Sequence, residues 1–239
     1  MSCCSNLPPV QADYTPKGTY TTSIGLKSYV TGPEDAKAAV LYIYDIFGFS
    51  PQILQGADLI ASQGYRVVMP DFLVGKYATP AFFGPGTEEK RKEYFSQFPA
   101  AFATQSKPLA DSIAALRAAG YSRVAVLGAC WGYKAALTTE GLPNVDVFLA
   151  TSPVFPVPED AEKINVPALV LSTSGEDKSI IDAIEKGVEA KYPGKNVFKR
   201  YDDQVHGFTA ARADLSGGAT LAAYAEAYQL IVKFLKEHL

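Results

Sequence analysis

The chain has 239 residues, 48% of them hydrophobic, and a formal net charge of -3, so it is long enough to bury a large core and presents no charge that implies a nucleic-acid surface. Its one basic cluster, Lys90-Arg91-Lys92, is bracketed by Glu88, Glu89 and Glu93 and reads as a solvated helix face. No apolar run reaches membrane-spanning length, and the polar beginning with Pro8 and Pro9 lacks a signal-peptide core, so no membrane partner and a cytoplasmic location are expected.

Short apolar runs alternate with helical patterns along the chain, which predicts one α/β domain over 1–239, a mostly parallel sheet covered on both faces. The first predicted strand, 40–44, runs into Asp45-Ile46-Phe47-Gly48. A helix over 52–63 and a strand over 66–69 follow, the latter leading to Pro70-Asp71. Between Pro80 and Gln105 lies an aromatic cluster, Phe82, Phe83, Tyr94, Phe95, Phe98 and Phe102, which serves either to pack amphipathic helices or to cover a site. A helix over 109–119 precedes the strand 124–127. Further strands are predicted over 145–150, 166–173 and 197–201, a helix over 180–191, and a terminal helix over 221–239. In such sheets the ligand site lies at the carboxyl ends of the strands.

Gly128-Ala129-Cys130-Trp131-Gly132 directly follows the strand 124–127. A strand turning sharply into a helix, with glycines two before and two after the central residue, is a nucleophile elbow, here carrying cysteine. The helix N-terminus beyond it favours the thiolate, the attacking form. A structural cysteine packed under a Gly-rich turn is the alternative.

A cysteine nucleophile needs a histidine to take its proton and an acid to orient that histidine. Of the two histidines, His238 sits in the terminal helix, whereas His206, in Val205-His206-Gly207-Phe208, lies in a loop after a strand. The loop Ser174-Gly175-Glu176-Asp177 supplies the acid in the order nucleophile, acid, histidine. Asp177 is the expected acid and Glu176 its near competitor, although an aspartate there would also cap the helix that follows. The Ile46 and Trp131 backbone N–H groups are expected to form an oxyanion hole, with Asp45 beside the thiol.

Asp45-Ile46-Phe47-Gly48, Gly64-Tyr65 before Pro70-Asp71, the Cys130 elbow, and Asp177 with His206-Gly207-Phe208 together resemble the dienelactone hydrolases (carboxymethylenebutenolidases), especially their eukaryotic and fungal branch. The resemblance implies an α/β-hydrolase fold and a Cys130-Asp177-His206 triad that opens a lactone or activated ester through an acyl-enzyme. It implies no metal or organic cofactor. It also implies a thiol-gating role for Asp45, where bacterial members carry glutamate, and candidate substrate contacts at Lys76 and Arg212. Phe82 and Phe83 are further candidate pocket residues.

The expected partner is therefore a small-molecule lactone or ester, acted on by a monomer or homodimer. The rival readings are a carboxylesterase or thioesterase on the same fold, and a ligand-binding protein without catalysis. Adjacent Cys3 and Cys4 cannot conveniently bridge one another, and no structural zinc is expected.

Overall fold

The computed structural model describes residues 7–23, 25–138, 142 and 144–239; Cys3 and Cys4 lie outside them. Eight strands form one sheet: β1 (Thr19–Ser23), β2 (Leu26–Thr31), β3 (Ala38–Ile43), β4 (Arg66–Pro70), β5 (Arg123–Ala129), β6 (Val147–Thr151), β7 (Ala168–Thr173) and β8 (Val197–Tyr201), in spatial order β1-β2-β4-β3-β5-β6-β7-β8. β1 and β2 pair antiparallel, as do β2 and β4, and every other pairing is parallel. The helices are α1 (Pro51–Ala61), α2 (Glu88–Ser96), α3 (Ser106–Ala118), α4 (Trp131–Ala136), α5 (Asp160–Lys163), α6 (Lys178–Lys191) and α7 (Gly218–His238).

Every residue of β6 and β7 is buried, as is β5 beyond Arg123. These strands are sandwiched between helices, which is why they read as continuous apolar runs rather than alternating ones. The chain steps from β3 outward to β4, then returns past β3 to β5 and continues toward β8. Right-handed crossovers therefore put α1 on one face and α3 to α6 on the other. α7 packs against α1. The reversal opens a crevice at the carboxyl ends of β3 and β5, where a parallel sheet places its ligand site.

The predicted strands and helices all occur, with ends shifted by a few residues. α2 carries the solvated helix face expected around Lys90-Arg91-Lys92, and β1, β2 and α5 complete the set.

Candidate active site

The turn from β5 into α4 holds Cys130 at φ 51° and ψ -105°, a region sparsely allowed for L-residues that costs about 1–3 kcal/mol. Both flanking glycines are required by contact. A Cβ on Gly128 would lie 2.6 Å from the Gly132 carbonyl and the Tyr133 nitrogen, and one on Gly132 would lie 2.2 Å from the Ile43 carbonyl oxygen in β3. The Cys130 N–H is fixed to the Thr151 carbonyl at the end of β6, 2.9 Å away. Cys130 is only 3% exposed.

Facing it is His206, whose Nε2 lies 3.0 Å from Cys130 Sγ. The ring's other nitrogen, Nδ1, lies 2.6 Å from Glu176 Oε1. Glu176 Oε2 accepts from the Thr173 N–H at 2.5 Å and the Thr173 hydroxyl at 3.0 Å. A carboxylate accepts only, so Nδ1 carries the proton in this pair and Nε2 is left to deal with sulfur. Cys130, His206 and Glu176 thus form one buried hydrogen-bonded series from the ends of β5, β8 and β7.

This geometry corrects the expectation for Asp177. Its carboxylate is exposed and caps α6, accepting from the Ser179 N–H (2.9 Å) and hydroxyl (2.7 Å); those two bonds hold it below the ordinary aspartate range. One carboxylate cannot both cap a helix and face a buried imidazole. Glu176, one residue earlier and one methylene longer, turns inward. Gly175 makes room: a Cβ there would lie 3.2 Å from the His206 Cβ.

The loop carrying His206 is anchored beneath. Gly207 N–H donates to Ser152 Oγ (2.9 Å), and the Thr209 and Thr151 hydroxyls meet at 2.8 Å. Sequence reasoning passed over Thr173 and Ser152, because a buried hydroxyl at a strand end carries no local signature.

Asp45 is 2% exposed, and both its oxygens are engaged: Oδ1 accepts from Phe47 N–H (2.9 Å), Oδ2 from Ala211 N–H (3.1 Å). It ties the loop after β3 to the His206 loop. Burial pushes its carboxyl up, and the two amides, then Arg212 and His206, hold that rise back. Trp131 is the first residue of α4, where a helix supplies no acceptor to the N–H. In the other loop Phe47 N–H is taken by Asp45 Oδ1, Gly48 N–H by the Asp45 carbonyl, and the Ile46 carbonyl by Ala78 N–H.

Arg212 is 4% exposed. Its Nη1 donates to the His206 carbonyl (3.2 Å) and its Nε to the Leu7 carbonyl (2.8 Å), while the guanidinium lies 5.3 and 5.5 Å from the Phe47 and Phe83 ring centres. Lys76, by contrast, is exposed, with Nζ 5.9 Å from the Phe98 ring. Phe82 meets Tyr94 edge-on at 5.2 Å, and Phe83 meets Phe47 at 5.5 Å.

Over the crevice lies the segment between β4 and α3. Burial, followed by the charges of Asp45 and Cys130, pushes the Tyr94 hydroxyl far above its usual range, and the hydroxyl donates to the Lys76 carbonyl at 2.9 Å. Phe95 stacks on Phe102, and Phe102 on Trp131. Phe98 departs from the covering expectation: it is 59% exposed.

A nucleophile elbow between β5 and α4, a histidine after β8 and an acid after β7, on a mostly parallel sheet of this order, define an α/β-hydrolase fold. The solved dienelactone hydrolase from Anabaena variabilis shares that fold, with a TM-score of 0.64 and 16% identity over 94% of this chain and 98% of that one. Residues 26–239 match the model of the dienelactone hydrolase family, and the chain belongs to that family. An uncharacterized AIM2 family protein of Schizosaccharomyces pombe is 33% identical over 98% of both chains. The human carboxymethylenebutenolidase homolog is 25% identical over 90% of this chain and 88% of its own.

Proposed function

We propose that this protein hydrolyses lactones or activated esters through a covalent cysteine intermediate, with Cys130 as nucleophile, His206 as base and Glu176 as the acid that orients His206. The observation that carries the reading is the buried series Cys130 Sγ to His206 Nε2 (3.0 Å) and His206 Nδ1 to Glu176 Oε1 (2.6 Å). Both separations lie within reach of proton transfer.

Sγ attacks the substrate carbonyl as its proton passes to Nε2, and the developing oxyanion meets the Ile46 and Trp131 amides. Collapse breaks the acyl carbon–oxygen bond, and Nε2–H returns the proton to the departing oxygen, leaving a thioester on Cys130. Water then attacks, giving its proton to Nε2, and the thiol is restored. Because a thiolate leaves easily, the first intermediate falls back to substrate unless the ester is strained or activated. Lactones, enol esters and thioesters suit that chemistry, and simple alkyl esters do not. The rings of Phe47, Phe82, Phe83 and Tyr94 favour an apolar acyl group. Arg212 is already bonded to two carbonyls and steadies the His206 loop, and Lys76 contributes at the rim.

The test is iodoacetamide labelling against pH with peptide mapping, in wild type and His206→Ala, alongside turnover of a dienelactone and a nitrophenyl ester. Labelling of Cys130 well below the ordinary thiol pKa of about 8.5, lost in the variant together with turnover, is the expected result. An inert Cys130 without turnover of either ester sinks the reading.

A further inference from the structure

The turn that carries His206 is held by a residue of α1 that the proposed chemistry does not use. Gln52, the second residue of that helix, is fully buried, and its side-chain Nε2 lies 2.9 Å from the Val10 carbonyl, 3.3 Å from the Ala211 carbonyl and 3.1 Å from the Ala213 carbonyl. Three carbonyls around one end of an amide identify that end as the NH2, whose two hydrogens they share, since an oxygen there would face only acceptors. The other end, Oε1, is buried and meets no donor among the described residues. A buried acceptor without a partner is costly, and the fold bears that cost where two separate segments meet over the start of α1.

The Gln52 donors act on the far end of the His206 turn. Residues 206–213 are all buried. Ala211 is gripped from both sides: Asp45 Oδ2 accepts from its N–H at 3.1 Å, and its carbonyl accepts from Gln52 and, at 2.8 Å, from the Val10 N–H. Gln52 thereby pins the backbone on each side of Arg212. Arg212 in turn bonds back to the front of the turn, its N–H to the Gly207 carbonyl at 3.3 Å and its Nη1 to the His206 carbonyl at 3.2 Å. Gln52 is itself fixed, because the Tyr224 hydroxyl of α7 donates to its backbone carbonyl at 2.7 Å. Residues 7–18 lie as a strap over this junction and include no buried residue. The strap meets the turn at Val10 and at Leu7, whose carbonyl accepts from Arg212 Nε at 2.8 Å. Its other end is tied to Asp58, which accepts from the Tyr14 hydroxyl at 2.8 Å and the Lys17 N–H at 2.9 Å.

We propose that Gln52 is a positioning residue for His206: by holding the Ala211 and Ala213 carbonyls it keeps the turn in place, and with it the 3.0 Å separation of Nε2 from Cys130 Sγ. It acts through the backbone of the turn. The proposal rests on the reading of Cys130 and His206 as a proton-sharing pair. A small shift of the ring weakens such a pair steeply, so loss of the Gln52 donors acts on the proton rather than on the admission of substrate.

The experiment measures iodoacetamide labelling of Cys130 against pH, with kcat and KM for a nitrophenyl ester, in wild type and Gln52→Met. Methionine keeps the length and unbranched shape of glutamine without its donors. The other groups around the pair, Glu176, Asp45, Arg212 and the Tyr94 hydroxyl, are the same in both proteins. Gln52→Met is expected to raise the labelling midpoint by about one pH unit, which slows labelling near neutral pH about tenfold, and to lower kcat about tenfold with KM within about twofold. Tyr14→Phe, which loosens the strap at Asp58, is expected to leave the midpoint where it is. Should Gln52→Met fold poorly, Val10→Pro removes one donor to the Ala211 carbonyl from the strap and is expected to slow labelling about twofold. A folded Gln52→Met with the wild-type midpoint overturns the proposal, as does a raised KM with kcat unchanged. An equal midpoint shift in Tyr14→Phe overturns it too, by making the effect a general loosening. Where Gln52→Met does not fold, a wild-type midpoint in Val10→Pro has the same force. A wild-type Cys130 that labels only as an ordinary thiol, without turnover, sinks the underlying pairing instead, and it is told apart because it is seen before any substitution is made.

Discussion

The floor of the crevice and its cover are built to opposite rules. On the floor, Cys130, His206 and Glu176 are each at most 3% exposed, and Thr173, Ser152 and Thr151 fix the loops that carry them. In the cover, no residue from 79 to 98 is buried. Its roots are fixed, by the Trp131 indole N–H to the Ala100 carbonyl and by the Tyr44 hydroxyl on Asp71. Leu73 N–H to the Tyr44 hydroxyl and Ala78 N–H to the Ile46 carbonyl hold the first part of the segment, whereas residues 79–98 meet the body through ring contacts such as Phe83 on Phe47 and Phe95 on Phe155, with the Tyr94 hydroxyl bonded back to the Lys76 carbonyl. On the proposed reading, chemistry that needs fixed distances sits on strand ends, and substrate enters past a segment with little buried surface of its own.

Breaking the floor has the largest expected effect. Cys130→Ala and His206→Ala should each reduce kcat/KM by about 10⁴-fold or more, read with a dienelactone. Glu176→Gln should reduce kcat by roughly 10²- to 10⁴-fold, because the amide no longer holds the right tautomer, while Asp177→Asn stays near wild type; a reversed pattern would make Asp177 the acid. Gly132→Ala should cost about 3 kcal/mol, seen as a Tm lower by roughly 6–12 °C, since its Cβ would strike the Ile43 carbonyl. Loosening the cover should do something different in kind. Phe95→Ala should speed iodoacetamide labelling of Cys130 by about fivefold and Tyr94→Phe by about twofold, the latter in line with one partly exposed hydrogen bond, with Tm little changed. The smallest effect concerns the cap. Asp177 is held below its usual pKa when folded, so its contribution is present above the unfolded pKa and is lost as pH falls through the folded value. The slight Tm deficit of Asp177→Ala should therefore vanish in strong acid, as thermal scans at neutral and acid pH would show.

The floor was legible in the sequence to the extent that backbone pattern determined it. The elbow glycines, the apolar strand 124–127 and the position of His206 after a strand each had a local cause that composition exposes. The choice between Glu176 and Asp177 did not, because order and loop type are the same for both and only side-chain direction separates them. Asp177 followed two residues later by Ser179 is a capping pattern, and a helix cap removes that carboxylate from the site; that signal was available. β1 and β2 escaped because TYTTS and LKSYVT are short antiparallel strands that mix polar with apolar residues, without the continuous apolar run that marks the parallel ones, although Ser28 to Thr31 of β2 are buried.

The contact of Gly132 with Ile43 has a consequence for tolerance. The two amides proposed to receive the oxyanion belong to separate loops, one after β3 and one after β5. The gap between them is gauged by backbone resting on backbone, with no side chain in between. Substitutions among the surrounding rings can reshape which molecules enter while leaving that gauge untouched, so selectivity at this site is free to drift without recalibrating the chemistry.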